Sequence, residues 1–205
     1  VKGIDNDRIY YCTFIPGNNS SAKLFSMNAD GGDEKEIKAF LNPLNYSSIS
    51  KSGDNILAGN YLMNFKDGVF LETQSFNVFT STEIAENNSV NILSPDGKKL
   101  AYIKKTSKNN EFDLMVKDVN IKNGQATKIL TYLVPSDLVD DAQYSSFFDI
   151  DWINTGDKII LSYGKFTFPK GSPNDYTKCE LVDLSTAKII NNWNFTGDDA
   201  GIVTN

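Results

Sequence analysis

No histidine occurs in these 205 residues, and that absence excludes more chemistry than any residue present adds. Without imidazole there is no Ser-His-Asp or Cys-His nucleophilic system. There is also no three-histidine or HExxH zinc site and no two-histidine iron site. Cysteine is scarce: Cys12 and Cys179 are too few for a disulfide framework or a structural zinc site. Each lies in a strand-like run that suits a buried free thiol, and their spacing leaves pairing open. No apolar run approaches the ~18 residues that span a bilayer. No glycine-rich phosphate loop follows a strand-like run, so no cofactor is expected. Twenty Lys and Arg face 26 Asp and Glu, a formal charge of −6, which argues against the cationic surface of a nucleic-acid binder. Helical periodicity is nearly absent, with one short turn conceivable at Ser136–Tyr144. Neither an initiator methionine nor a leader precedes Val1, which reads as a mature or excised piece.

What is present is a folding composition, 40% hydrophobic and 12% aromatic, enough for one domain or part of one. It is arranged as a repeat. The clearest unit is Ser94-Pro95-Asp96-Gly97-Lys98-Lys99-Leu100-Ala101-Tyr102-Ile103, a tight turn feeding a strand that is apolar on both faces. Weaker copies are Ser52-Gly53-Asp54-Asn55-Ile56-Leu57-Ala58 and Thr155-Gly156-Asp157-Lys158-Ile159-Ile160-Leu161, with a loose one at Asn6-Asp7-Arg8-Ile9-Tyr10. Self-similarity at roughly 44 to 59 residues, with several strands per unit, is the signature of β-propeller blades.

The fold expected is therefore all-β, about four blades of four antiparallel strands. The blades fall near residues 1–43, 44–87, 88–134 and 145–197, with 198–205 as a closing strand or the start of a further blade. In the third unit the strands are Val90–Leu93, Lys99–Lys104, Leu114–Val119 and Thr127–Leu130, with a hairpin turn at Lys122-Asn123-Gly124. The first unit gives Arg8–Phe14, Lys23–Asn28 and Glu36–Phe40. The second is least regular, with strands at Asn55–Leu62 and Val69–Thr73. The fourth gives Phe147–Trp152, Lys158–Lys165, Lys178–Leu184 and Ile189–Phe195. The second strand of each unit is expected to be the most buried. Two long connections stand out, Thr131–Ser146 and Phe166–Thr177, and loops of that length are uncommon unless they carry function.

The Ser94–Ile103 stretch resembles the WD40-like, TolB-type propeller repeat, also called the PD40 repeat. The first unit, with Arg8-Ile9-Tyr10-Tyr11 and Lys23-Leu24-Phe25-Ser26-Met27-Asn28, is similar to YWTD-type bacterial blades. The resemblance implies a periplasmic, cell-surface or secreted protein, or the propeller of a larger peptidase. It carries no ligand-contacting residue onto this chain.

Two sets of residues are candidates for a site. Asp149 and Asp151 alternate along one strand, so both carboxylates share a face and could hold Ca²⁺ through oxygen ligands; the plainer alternative is that they are solvated. Phe166, Phe168 and Tyr176 lie in a connection that also contains Pro169 and Pro173, a composition that suits a peptide or glycan platform. Against this, Phe166 and Phe168 could simply continue the preceding strand. Five Asn-x-Ser/Thr sequons, at Asn18, Asn19, Asn45, Asn87 and Asn194, arise readily in a chain this rich in Asn and Ser. The function expected is a non-catalytic binding or scaffolding propeller that recognises a protein or glycan. A propeller within a larger hydrolase, or a carboxylate-based glycan enzyme, is the alternative. Gly201–Asn205 has the place of a first strand without its partners, so a truncated piece or an unusual ring closure is expected.

Overall fold

The computed structural model describes residues 4–5, 8–15, 21–41, 49–58, 61–66, 69–79, 87–108, 111–119, 124–133, 144–167 and 176–196. They form an all-β structure of four antiparallel sheets, about four propeller-like blades. The first sheet runs in order through β1 (Ile4–Asp5), β2 (Arg8–Ile15), β3 (Ser21–Asn28) and β4 (Lys35–Leu41). In the second, β5 (Ile49–Ser52), β6 (Asn55–Ala58), β7 (Tyr61–Lys66) and β8 (Val69–Phe70) follow in order, and β9 (Phe76–Asn77) pairs with β7. The third holds β10 (Asn87–Leu93), β11 (Lys99–Lys105), β12 (Glu111–Asp118) and β13 (Thr127–Leu133). The fourth holds β14 (Tyr144–Trp152), β15 (Lys158–Thr167), β16 (Tyr176–Asp183) and β17 (Lys188–Thr196).

The repeat seen in the sequence is a repeat of hydrogen bonds. In the third sheet Gly97 N–H donates to the Ser94 carbonyl (2.8 Å) and Ser94 N–H to the Lys99 carbonyl (2.8 Å). In the fourth, Gly156 N–H donates to Ile153 (2.8 Å) and Ile153 N–H to Lys158 (3.0 Å). Glycine is required because these turns need positive φ: 51° at Gly53, 68° at Gly97 and 74° at Gly156. The residue after each glycine then anchors the third strand. The carbonyls of Asp54, Lys98 and Asp157 accept the N–H groups of Phe65 (2.7 Å), Val119 (2.9 Å) and Leu184 (3.1 Å).

A second repeated feature lies outside the turn motif. The register between third and fourth strands slips just after a leucine in three sheets, at Leu24/Phe25, Leu114/Met115 and Leu181/Val182. Each slip leaves one extra residue on the outer strand, and it is isoleucine every time: Ile37, Ile129 and Ile190. Three residues further on stands an aromatic: Phe40, Tyr132 and Trp193.

The second sheet corrects two expectations. Asn55–Leu62 is not one strand, because Ala58 pairs with Tyr61 and the chain reverses between β6 and β7. Gly59-Asn60 at that reversal is a two-residue hairpin signal. Val69–Thr73 is not one strand either, since Glu72–Gln74 forms a 3₁₀ turn. Asn64 organises the interruption. Its carbonyl accepts Leu71 N–H (2.8 Å), its N–H donates to Ser75 Oγ (3.1 Å), and its side chain donates to the Gln74 carbonyl. The possible helical turn before Tyr144, the Lys122-Asn123 part of the third hairpin and Gly201–Asn205 lie outside the described residues.

The chain divides into two compact units. One comprises Val1–Ala85, Asn91–Leu100 and Lys117–Gln125; the other comprises Glu86–Val90, Ala101–Val116 and Ala126–Asn205. In the first, Tyr10, Leu24, Ile56, Ala58 and Met63 form a buried cluster, against which Ile37, Tyr61, Phe65 and Phe70 pack. Lys38 crosses the same seam with its ammonium 5.1 Å from the Tyr61 ring centre and paired with Glu72 at 2.8 Å. Second and third turns also touch within this unit: Ser52 Oγ donates to the Pro95 carbonyl and Asn55 Nδ2 to the Gly97 carbonyl (3.0 Å).

Burial of the second strands follows two patterns. Ile56 to Ala58 in β6 and Leu100 to Ile103 in β11 are buried without a break. In β15 burial alternates, with Ile159, Leu161 and Tyr163 buried and Ile160 and Ser162 only half-buried. In β2, Tyr10 is buried between half-buried Ile9 and Tyr11. Alternation of this kind marks a strand covered on one face rather than two, so the expectation of two-faced burial fails there.

Candidate functional site

The two long connections border the fourth sheet, and the ladder shortens both. β13 continues to Leu133 and β14 begins at Tyr144, leaving residues 134–143 between them. β15 continues to Thr167 and β16 begins at Tyr176, leaving 168–175. Phe166 therefore sits on β15, opposite Ser145. Tyr176 opens β16 opposite Lys165 and Thr196. Phe168 lies outside the described residues. The strand-continuation reading holds for the backbone of Phe166, and the register brings Phe166 and Tyr176 to the two sides of one loop base.

Asp149 and Asp151 stand on β14 opposite Ser162 and Ile160. Asp149 is half-buried and its Oδ1 accepts the N–H of Ile150 at 2.9 Å; Asp151 is exposed. Among the described residues no group of three or more His, Cys, Asp or Glu side chains comes together. A calcium ion here would have to draw most of its six to eight oxygens from groups other than this pair. Ser162 in turn faces Cys179, a free thiol whose sulfur is 3.4 Å from Ser162 Oγ.

Just inside the loop base lies a polar cluster that the sequence reading missed. Glu180 is buried and uses both carboxylate oxygens: Oε2 accepts the Tyr132 hydroxyl, and Oε1 pairs with Lys178 Nζ. The Lys178 ammonium also lies 5.7 Å from the Tyr163 ring centre, and Tyr163 meets Tyr132 edge-on at 6.2 Å. Burial and the bond to Glu180 push the Tyr132 phenol far above its ordinary range. Burial also raises Tyr163, and the Glu180 carboxylate raises Lys178. Both phenols therefore stay protonated, and the Lys178 ammonium stays charged. The cluster pins β13 to the fourth sheet through the Tyr132–Glu180 bond, and neither phenol is a deprotonated nucleophile near neutral pH. Tyr132 and Glu180 are 48 residues apart, so only the alternation of Lys178 and Glu180 along a strand could have hinted at it. Nearby, Thr177 Oγ1 is buried with no hydrogen-bond partner among the described residues.

No protein-family model matches this chain, and no curated protein matches it. Solved structures do. A protein assigned to TolB from Agrobacterium tumefaciens is similar over 95% of this chain and 64% of its own, with a TM-score of 0.52 and 12% identity. An acylaminoacyl peptidase from Pyrococcus horikoshii is similar over 86% of this chain but 23% of its own, with a TM-score of 0.40 and 15% identity. A protein assigned as a 6-phosphogluconolactonase from Bacteroides fragilis is similar over 93% of this chain and 52% of its own, at a TM-score of 0.44 and 16% identity. The chain thus spans less than two thirds of each. At such identities the likeness concerns the fold, which is β-propeller-like.

Proposed function

We propose that this chain is a non-catalytic module of WD40-like, TolB-type propeller repeats, working outside the cytoplasm, that binds a protein or a glycan. Phe166, Phe168 and Tyr176, around the connection between β15 and β16, carry the contact. The observation that supports this reading most is the difference in connections. First and second strands are joined by repeated tight turns, whereas the fourth sheet is bordered by connections of residues 134–143 and 168–175, one of them flanked by aromatics. Aromatic side chains give large contact area at low entropic cost, which suits recognition of a sugar face or an extended peptide. The absence of histidine and of any phosphate-binding motif in the sequence agrees with binding rather than turnover.

The test is a glycan array and a peptide-display library probed with the chain and with a Phe166→Ser/Phe168→Ser/Tyr176→Ser variant. Saturable binding that the triple variant loses at unchanged melting temperature is the expected result. Equal binding by both proteins would overturn the assignment of the loop. Hydrolysis of a probe, abolished by Asp149→Asn or Asp151→Asn, would overturn the non-catalytic reading.

A further inference from the structure

The fourth sheet carries polar residues on a face where the third carries apolar ones. Gly97 and Gly156 hold the same place in their turns, so Asp149, Asp151 and Ser162 correspond to Val90, Ile92 and Ile103 of the third sheet. Ile103 is buried, whereas Ser162 is half-buried and Asp151 exposed. Register places Asp149, Ser162, Cys179 and Trp193 in one cross-sheet row. The next row toward the β15–β16 connection holds Gly164, Thr177 and Phe195. Residues two apart along a strand share a face, so both rows lie on the same side of the sheet. Trp193 is 40% exposed there, an aromatic platform open to solvent.

Thr177 is the anomaly on this face. It is only 2% exposed, and its Oγ1 has no hydrogen-bond partner among the described residues. Ser162 Oγ and Cys179 Sγ pair with each other at 3.4 Å, and Gly164 across the ladder has no side chain to offer. A buried hydroxyl left unpaired is costly, so a fold that keeps one calls for a group that bonds it. Thr177 and Trp193 are diagonal neighbours across the ladder, about 7–8 Å apart, a span that one hexose ring bridges. β16 is paired with β15 on one side and β17 on the other, so a peptide cannot add to it as a strand and recognition falls to side chains. A sugar hydroxyl both donates and accepts, as the threonine hydroxyl does, and the flat apolar side of the ring fits an indole. The Asp149 and Asp151 carboxylates on the same face disfavour an anionic ligand.

We propose that this face is the binding subsite for a neutral carbohydrate, whose ring stacks on Trp193 and whose hydroxyl bonds Thr177 Oγ1. Resting on the reading that the chain binds through the β15–β16 connection, the subsite selects glycan over protein. Thr177 directly follows Tyr176 on β16, and Phe166 stands two residues beyond Gly164 on β15. The subsite therefore begins where that connection is anchored.

The experiment probes an array of neutral and sulfated oligosaccharides, and a peptide-display library, with wild type, Thr177→Val, Trp193→Ala and Phe166→Ser/Phe168→Ser/Tyr176→Ser. The best probe is then titrated by calorimetry. Wild type is expected to bind neutral oligosaccharides in preference to sulfated ones. Thr177→Val and Trp193→Ala should each weaken that binding at least about tenfold, at a melting temperature no lower than wild type. Trp193→Ala removes an exposed side chain and serves if Thr177→Val does not fold. The titration should also shift the indole fluorescence of wild type but not of Trp193→Ala, whose remaining Trp152 is buried. Loss in the loop variant alone overturns this subsite and leaves the loop reading standing. Loss in Thr177→Val and Trp193→Ala alone supports the subsite and overturns the loop reading. Peptide-only binding, a preference for sulfated probes, or no saturable binding by wild type would each overturn the proposal.

Discussion

Replacing Gly97 with alanine should destabilise the protein much more than the same change at Gly156, although both glycines hold the same place in the repeat. Both have positive φ, 68° and 74°, so each substitution incurs the left-handed strain of a Cβ, about 1–2 kcal/mol. Some of that is offset because alanine restricts the unfolded chain, by about 0.4–1 kcal/mol. Around Gly156 a Cβ meets nothing within 4 Å, leaving a net cost near ~1 kcal/mol. At Gly97 the Cβ would lie 2.9 Å from the Ser52 carbonyl oxygen and 3.1 Å from Asn55 Nδ2. The carbonyl is backbone and cannot swing away, so the two turns must separate. The bonds Ser52 makes to Pro95 and Asn55 makes to Gly97 are then weakened, at about 1 kcal/mol each. The total at Gly97 is about 2–4 kcal/mol. For a chain of this size that lowers the melting temperature by about 4–16 °C, against about 2–4 °C at Gly156. Thermal and guanidinium unfolding of the two variants side by side give the comparison. Equal losses would refute the turn-to-turn contact as the cause.

Three further outcomes follow from named groups. Tyr132→Phe should cost about 1–2 kcal/mol, and a double-mutant cycle with Glu180→Gln should show coupling of about 1 kcal/mol or more; additive losses would mean the pair does not act as a unit. Thr177→Val keeps the strand shape and removes a buried hydroxyl without a partner among the described residues, so it should stabilise by about 0.5–2 kcal/mol, and a lowered melting temperature would contradict that. Asp183 accepts bonds from Ser185 and Thr186, which hold its carboxyl at about 2 against 3.8 in the ordinary case. Its contribution is fully present above 3.8 and is lost as pH falls toward about 2. Asp183→Asn should flatten stability in that window, and an unchanged acid profile would count against it.

Local chemistry explains what could be read without coordinates. Ser-Pro-Asp-Gly and its copies specify positive φ at fixed places, and the runs after them are apolar, so turns, second strands and the all-β class follow from nearest neighbours in sequence. The second sheet resisted because the apolar runs Ile56–Ala58 and Tyr61–Leu62 are separated by only two residues and look alike as one strand or two. Tyr132 and Glu180 were invisible because their meeting is set by register between sheets, not by spacing. The slip after Leu24, Leu114 and Leu181 was there to be found as an isoleucine followed three residues later by an aromatic. Degenerate polar positions between the copies hid it. Asp149 and Asp151 were placed on a strand by pattern, whereas Phe166 and Tyr176 were read within a connection that the ladder shortens; what surrounds a strand face is decided by its neighbouring sheet.

The central claim, that the chain binds through its aromatic loop and performs no chemistry with its acid pair, is tested most directly by one titration. The best probe from the glycan or peptide screen is measured by calorimetry against three proteins: wild type, Phe166→Ser/Phe168→Ser/Tyr176→Ser, and Asp149→Asn/Asp151→Asn. The account predicts that the aromatic variant loses binding by at least about tenfold, about 1.4 kcal/mol, while the acid-pair variant binds as wild type. Loss of binding or turnover in the acid-pair variant, with the aromatic variant unaffected, would contradict it.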